Sequence, residues 1–173
     1  MTVKTVLTFD FQADEERELE EKLQLPNSQQ GLAIGDYGPK GRGIKATRPF
    51  KKGEFLVEYA GQLIDVATAT LRDREYDRDP GSFGSYVYHF KHNGQRWCID
   101  ATVDTGRFGR LVNHSRRNPN CQTRVFMPQH CNQPRLILVA KKDIEEDEGI
   151  NIPFVWRWWL TTKPNLSFFF NLL

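Results

Sequence analysis

The stretch from Tyr86 to Ile99 constrains the fold more than any other. Tyr86, Tyr88 and Phe90 recur with period two, Asn93-Gly94 follows, and Trp97 and Ile99 recur with period two beyond it. Period two puts alternate side chains on one face of a strand. Asn-Gly supplies the positive φ that a type I′ turn needs at both central positions. An antiparallel hairpin is therefore expected. Further short strands are expected at Gly43–Thr47, Phe55–Tyr59, Gln62–Ile64, Thr123–Phe126 and Leu136–Lys141, with Lys51-Lys52-Gly53 as a turn. Two helices interrupt them. Asp14 to Leu25 carries Leu19 and Leu23 at i, i+4, with Arg17–Glu21 and Glu18–Lys22 able to pair along a face. The second is capped by Asp65 and runs to about Asp77, and Pro80-Gly81 ends the segment after it. No βαβ rhythm is present, so the fold class expected is mainly β (α+β).

Composition narrows the function classes. The 173 residues suit one domain. A net charge of +2 excludes a polycation that coats nucleic acid by counterion release. No apolar run reaches the roughly 20 residues of a membrane span, and no secretory leader is visible, so a soluble intracellular chain is expected. Cys98, Cys121 and Cys131 are odd in number and form no CxxC pair, which points to reduced thiols. His89, His92, His114 and His130 lack ligand spacing, and no metal is expected. Phe154, Trp156, Trp158, Trp159, Phe168, Phe169 and Phe170 make the ending strongly aromatic.

Three features could carry chemistry. Four glycines lie between Gly35 and Gly43, a density costly in entropy unless the backbone approaches something closely. GDYGPKGRG is neither a Walker loop nor a dinucleotide turn. It reads as a structural turn or, given Lys40 and Arg42, as a contact to a carboxylate. Asn113-His114-Ser115 follows an apolar pair and either caps a short helix or recognises a heterocycle and an amine. Tyr59, Tyr86 and Tyr88 either fill a core or wall a pocket suited to a cation.

Four segments in register carry a resemblance: KGRGIKATRPFKKGEFLVEYAGQLI, GSYVYHFKHNGQRWCIDAT, GRLVNHSRRNPNCQT and LVAKKDIEEDE. Together they resemble the SET-domain protein lysine methyltransferases, and most of all the class that monomethylates a lysine of the histone H4 tail. The resemblance implies short curved sheets with a pseudoknot-like C-terminal threading. It assigns residues 1–34 to an N-terminal helix and lead-in, 35–155 to the SET domain and 156–173 to a divergent aromatic tail. It also implies methyl transfer from S-adenosylmethionine to a lysine ε-amine. Lys40, Gly41 and Arg42 match the loop around the cofactor's methionine end, and Tyr86 matches a cofactor-contacting tyrosine. Asn113 and His114 match the pair that holds the amino group and adenine. Tyr59 matches a tyrosine of the lysine channel, the residue assigned to catalysis, and Arg110 matches a structural position. Nuclear and chromosomal location, a histone tail or nucleosome as partner, and a monomer are implied in the same way.

The ending departs from the family pattern. Its last core motif has the form GEELxYDYGD. Ungapped alignment puts Ile152 and Phe154 at the two tyrosines and Trp156 at the aspartate. A positioned hydroxyl is worth 10- to 1000-fold in rate, roughly, by analogy with other oriented donors. Besides an enzyme, a module that holds a histone tail or nucleosome without turnover therefore stays open, as does an alternative gene ending.

Overall fold

The computed structural model describes residues 15–24, 29–78, 86–129 and 131–153. Helix α1 (residues 15–24) comes first. Strands β1 (Leu32–Asp36) and β2 (Arg42–Ala46) then pair antiparallel from Leu32↔Ala46 to Asp36↔Arg42. The glycine-rich run is thus a hairpin and not a free loop. Gly35 and Gly43 are cross-strand partners, and only residues 37–41 turn. Next come β3 (Phe55–Glu58), β4 (Gln62–Ile64) and α2 (Val66–Arg78). The expected hairpin is formed by β5 (Val87–His92) and β6 (Gln95–Asp100). Asn93 and Gly94 sit at φ 49° and 78°, as its turn demands. Tyr86 lies one residue ahead of β5 rather than within it, tied across by Ala101 N–H to its carbonyl at 3.1 Å.

Three short strands follow the 3-10 turn at Phe108–Leu111: β7 (Asn113–Ser115), β8 (Cys121–Phe126) and β9 (Arg135–Ala140). The last, β10 (Asn151–Pro153), pairs parallel with β7, placing Ile152 opposite His114. Among the described residues, the sheets are β1-β2, β3-β9-β8, β4-β6-β5 and β10-β7. Short strands in small sheets, with few helices, make a mainly β fold, as expected.

The main core runs between the sheets through Ile44, Phe50, Leu56, Val57, Leu136, Leu138, Ile144 and Ile150. Helix α1 lies outside it, as its narrow apolar stripe implies. Leu23 is buried against Phe126, Ile137 and Val139 with Leu19 beside it, a contact worth about 1.5–3 kcal/mol for one full leucine. The expected Glu18–Lys22 pair forms at 2.8 Å. Helix α2 begins at the expected cap, with Thr68 N–H donating to Asp65 Oδ1 at 2.7 Å.

A helix as polar as α2 needs charge to dock it. Arg72 Nη1 and the Tyr76 hydroxyl both reach Asp100 Oδ2 at 2.8 Å. His89 Nε2 stands 3.9 Å from Asp73, and Cys98 Sγ lies 3.1 Å from His89 Nδ1. Asp73 and then Cys98 push the His89 imidazole up to about 9. Cys98 and Cys121 are buried and unpaired, whereas Cys131 is exposed. Burial raises the Cys121 thiol to about 12, which makes it inert.

The C-terminal segment is latched by one buried side chain. Asn120 donates Nδ2 to Glu148 Oε1 at 2.9 Å and to the Gly149 carbonyl at 2.8 Å. Its Oδ1 accepts from Asn151 N–H at 2.8 Å. Residues 148–151 are thereby held for parallel pairing beside β7. Onward threading, together with Phe154, Trp156 and the aromatic tail, lies outside the described residues, as do Pro80-Gly81 and His130.

Candidate functional site

The site is where the β1-β2 hairpin meets β7. An ideal Cβ on Gly43 would sit 2.2 Å from Asn113 Nδ2 and 2.7 Å from the Tyr37 ring. Only glycine lets the strand approach that closely. Asn113 Nδ2 is buried there with no hydrogen-bond partner among the described residues. A buried amide N–H left unmade costs about 1–3 kcal/mol, so its place next to an open turn marks a group waiting for an acceptor. Gly38 and Gly41 hold φ of 60° and 71°, and a Cβ on either would meet nothing within 4 Å. The turn therefore presents bare backbone, flanked by exposed Lys40 and Arg42. The His114 imidazole next to Asn113 is held below its usual value by burial, which a hydrogen bond to the Pro153 backbone partly offsets. It is a neutral donor and acceptor near pH 7.

Tyr37, which the sequence reading left unassigned, organises this corner. Its ring lies against Gly35, Gly43 and Gly149, and its hydroxyl donates to the Ile44 carbonyl at 3.2 Å. The available signal was a pair of glycines facing one aromatic across a hairpin, and Gly149 completes it only through the fold.

The tyrosines form a second group, packed with the main core. Tyr59 follows β3 and is 8% exposed. Its hydroxyl donates to the Tyr86 carbonyl at 2.8 Å, and its ring centroid is 5.3 Å from that of Tyr88. Burial, above all, pushes the Tyr59 phenol well above its ordinary value and raises that of Tyr88. The Tyr88 hydroxyl meets Thr123 Oγ1 at 3.3 Å. Tyr86 is clamped by four groups: Thr102 Oγ1 on its N–H, Tyr59 and the Ala101 N–H on its carbonyl, and the Arg110 guanidinium 3.9 Å above its ring. The three tyrosines thus converge, although the Tyr59 hydroxyl is spent on backbone.

Two glycines make the convergence possible. A Cβ on Gly109 would stand 2.1 Å from the Glu58 carbonyl oxygen, and one on Gly61 would stand 2.4 Å from that of Asp100. Glu58, next to Tyr59, is buried and grips Arg135 through two bonds of 2.7 Å and Arg107 through one of 3.0 Å. Removing either guanidinium would leave a buried carboxylate short of charge.

The residues present fit S-adenosylmethionine. Asn113 brings an orphaned buried donor, the glycine turn brings open backbone, and Tyr86 brings an aromatic face. Among the described residues, no three His, Cys, Asp or Glu side chains are grouped to hold a metal, and no helix is long and apolar enough to cross a membrane.

Residues 41–154 match the family described as SET domain. The chain is similar to Histone-lysine N-methyltransferase Set8 of Drosophila melanogaster, at 45% identity over 134 residues, covering 78% of this chain and 19% of that protein. It is similar to N-lysine methyltransferase KMT5A of Xenopus tropicalis, at 40% identity over 141 residues, covering 82% of this chain and 40% of that protein. The chain thus spans less than half the length of these relatives. The crystal structure of CpSET8 from Cryptosporidium superposes with a TM-score of 0.62 at 38% identity, covering 71% of this chain and 59% of that one.

Proposed function

Because the chain belongs to the SET-domain family, we propose that it transfers a methyl group from S-adenosylmethionine to the ε-amine of a histone lysine, in the H4 tail and to the monomethyl state. The observation that carries this reading is the Asn113 amide, unpartnered among the described residues and set against Gly43. When bound, S-adenosylmethionine supplies an electrophilic sulfonium methyl.

The protein's work is to hold and to desolvate. Lys40, Gly41 and Arg42 take the methionine end, Tyr86 lies along the ligand, and Asn113 with His114 takes the amino group and adenine. A neutral His114 suits that task, since it can donate or accept without adding charge. The nucleophile must be an uncharged amine, whereas free lysine has a pKa near 10.4. A channel walled by Tyr59 and Tyr88 disfavours the ammonium and lowers that value. Holding amine and methyl in line can supply up to about 7–11 kcal/mol of the remaining barrier. Ile152 stands opposite His114 where the family motif carries a tyrosine, so this strand contributes a buried aliphatic face and no hydroxyl.

The histone tail as partner, a nucleosome as the assembled substrate, a monomeric state, and a nuclear, chromosomal location belong to the same proposal. Of these, the histone substrate is supported by the name of the Drosophila relative, a histone-lysine N-methyltransferase. The names of the relatives favour an enzyme over a non-catalytic module. Calorimetric titration with S-adenosylmethionine, followed by radiolabelled methyl transfer to nucleosomes, tests the reading. Binding with transfer is expected. Binding without transfer would turn the reading towards a module that holds its partner, and no binding would end it.

A further inference from the structure

Arg110 is a buried cation that the methyl-transfer chemistry does not use. Its side chain is 7% exposed, and its guanidinium is stacked 3.9 Å over Tyr86. Nε donates to the Ala101 carbonyl at 2.7 Å and Nη2 to the Thr102 carbonyl at 3.1 Å. Those bonds engage two of its five N–H groups and leave its charge. Asp104 Oδ2 lies 3.0 Å from Nη1. The buried carboxylates nearby are engaged elsewhere, Asp100 by Arg72 and Tyr76, Glu58 by Arg135 and Arg107. Among the described residues, Asp104 is the carboxylate within ion-pair distance of Arg110.

Asp104 is also placed with care. Its Oδ1 accepts the Gly106 N–H at 3.0 Å, which aims Oδ2 inward. The same Oδ2 is 3.8 Å from Arg42 Nη2, on the glycine turn. The Gly106 N–H, then Arg110 and Arg42, hold its carboxyl below the usual carboxylate range. One carboxylate thus serves two cations, one behind the tyrosine assigned to the ligand and one on the turn assigned to it.

We propose that Asp104 is a positioning residue that supplies the counter-charge to Arg110 and Arg42, so that a cationic sulfonium ligand can lie against Tyr86. This rests on the S-adenosylmethionine reading above. Without that carboxylate, a permanently positive sulfonium would enter beside a buried Arg110 that has lost its counter-charge, with Arg42 on the exposed turn adding to the positive field. The neutral thioether left after methyl transfer would not feel the difference. Asp104 therefore governs the ratio of affinities for the sulfonium and thioether forms, which a purely structural role would not change.

The test is calorimetric titration of Asp104→Asn with S-adenosylmethionine and, separately, with S-adenosylhomocysteine. Asparagine keeps the Oδ1 acceptor for Gly106, so the loop should remain folded, as a thermal transition will show. Should that transition be lost, Asp104→Ser is read in its place. We expect the sulfonium form to weaken about three- to tenfold, as for one unit charge acting across a part-exposed site. The thioether form should change less than twofold. Asp104→Glu should restore the wild-type ratio, and 0.5 M salt should shrink the effect. Equal weakening of both ligands, or of neither, overturns the proposal and leaves the cofactor reading standing. A wild-type chain that binds neither ligand overturns the cofactor reading itself.

Discussion

Replacing Gly43 by alanine puts a methyl group 2.2 Å from Asn113 Nδ2 and 2.7 Å from Tyr37 ring carbons. Both neighbours are side chains rather than backbone, so they can turn aside. The folding cost should stay within the overpacking range of about 1–3 kcal/mol. Binding has no such escape, because Asn113 can avoid the new methyl only by moving the amide proposed to meet the ligand. The ligand acceptor that relieves this buried amide N–H is worth about 1–3 kcal/mol. At 1.4 kcal/mol per decade, that predicts a Kd for S-adenosylmethionine weakened about 5- to 150-fold. Calorimetric titration measures it, with thermal unfolding recorded on the same sample. Gly53→Ala is the control. Gly53 sits at φ +88° with nothing within 4 Å of its Cβ, so alanine there costs backbone strain and no affinity. A Gly43→Ala protein that stays folded and binds within twofold of wild type would refute the assignment of Asn113 to the ligand.

Other expectations follow from separate parts of the structure. Ile152→Tyr, which restores a phenol on β10 opposite His114, should raise the methyl-transfer rate at least tenfold in a radiolabel assay. An unchanged rate with intact cofactor binding would show that this hydroxyl is not what the strand lacks. Raising pH should weaken the fold through His89. Its folded value of about 9 exceeds the ordinary 6.5, so its stabilisation is complete below about pH 6.5 and is lost as pH rises through 9. The loss, up to about 3 kcal/mol at about 1.4 per pH unit, should appear in urea midpoints and vanish in His89→Gln. Asn120→Ala should cost about 1–3 kcal/mol, because it strands half-buried partners on residues 148–151. It should also speed amide exchange at Ile152, and a rate unchanged from wild type would show that the latch is not what holds β10.

Local signals were readable where a local cause operates. The Asn93-Gly94 turn, the Asp65 cap, the Glu18–Lys22 pair and the Leu19/Leu23 stripe each depend on residues within a few positions of one another, and each forms. Strand ends shifted by one or two residues where pairing partners extend a strand, as when β8 begins at Cys121 opposite Ala140. β1 was not read at all, because LAIGD acquires its strand character from a partner six or more residues away and its glycine looked like part of a loop. Asn113-His114-Ser115 was open to a helix-cap reading for the same reason, since a three-residue strand exists only when β10 returns to lie parallel with it.

The site divides along the same line. Sequence determined the ingredients: a glycine turn, an Asn-His pair, tyrosines at period two, and an ending without the expected phenols. It could not say that Gly43 would touch Asn113 across 70 residues of chain, that Tyr59 would spend its hydroxyl on the Tyr86 carbonyl, or that Arg110 would stack on Tyr86 with Asp104 as its counter-charge. Propensity and turn chemistry act through neighbours along the backbone. Burial, charge pairing and the orphaning of a polar atom depend on where distant segments are brought together, and only the packed chain decides that.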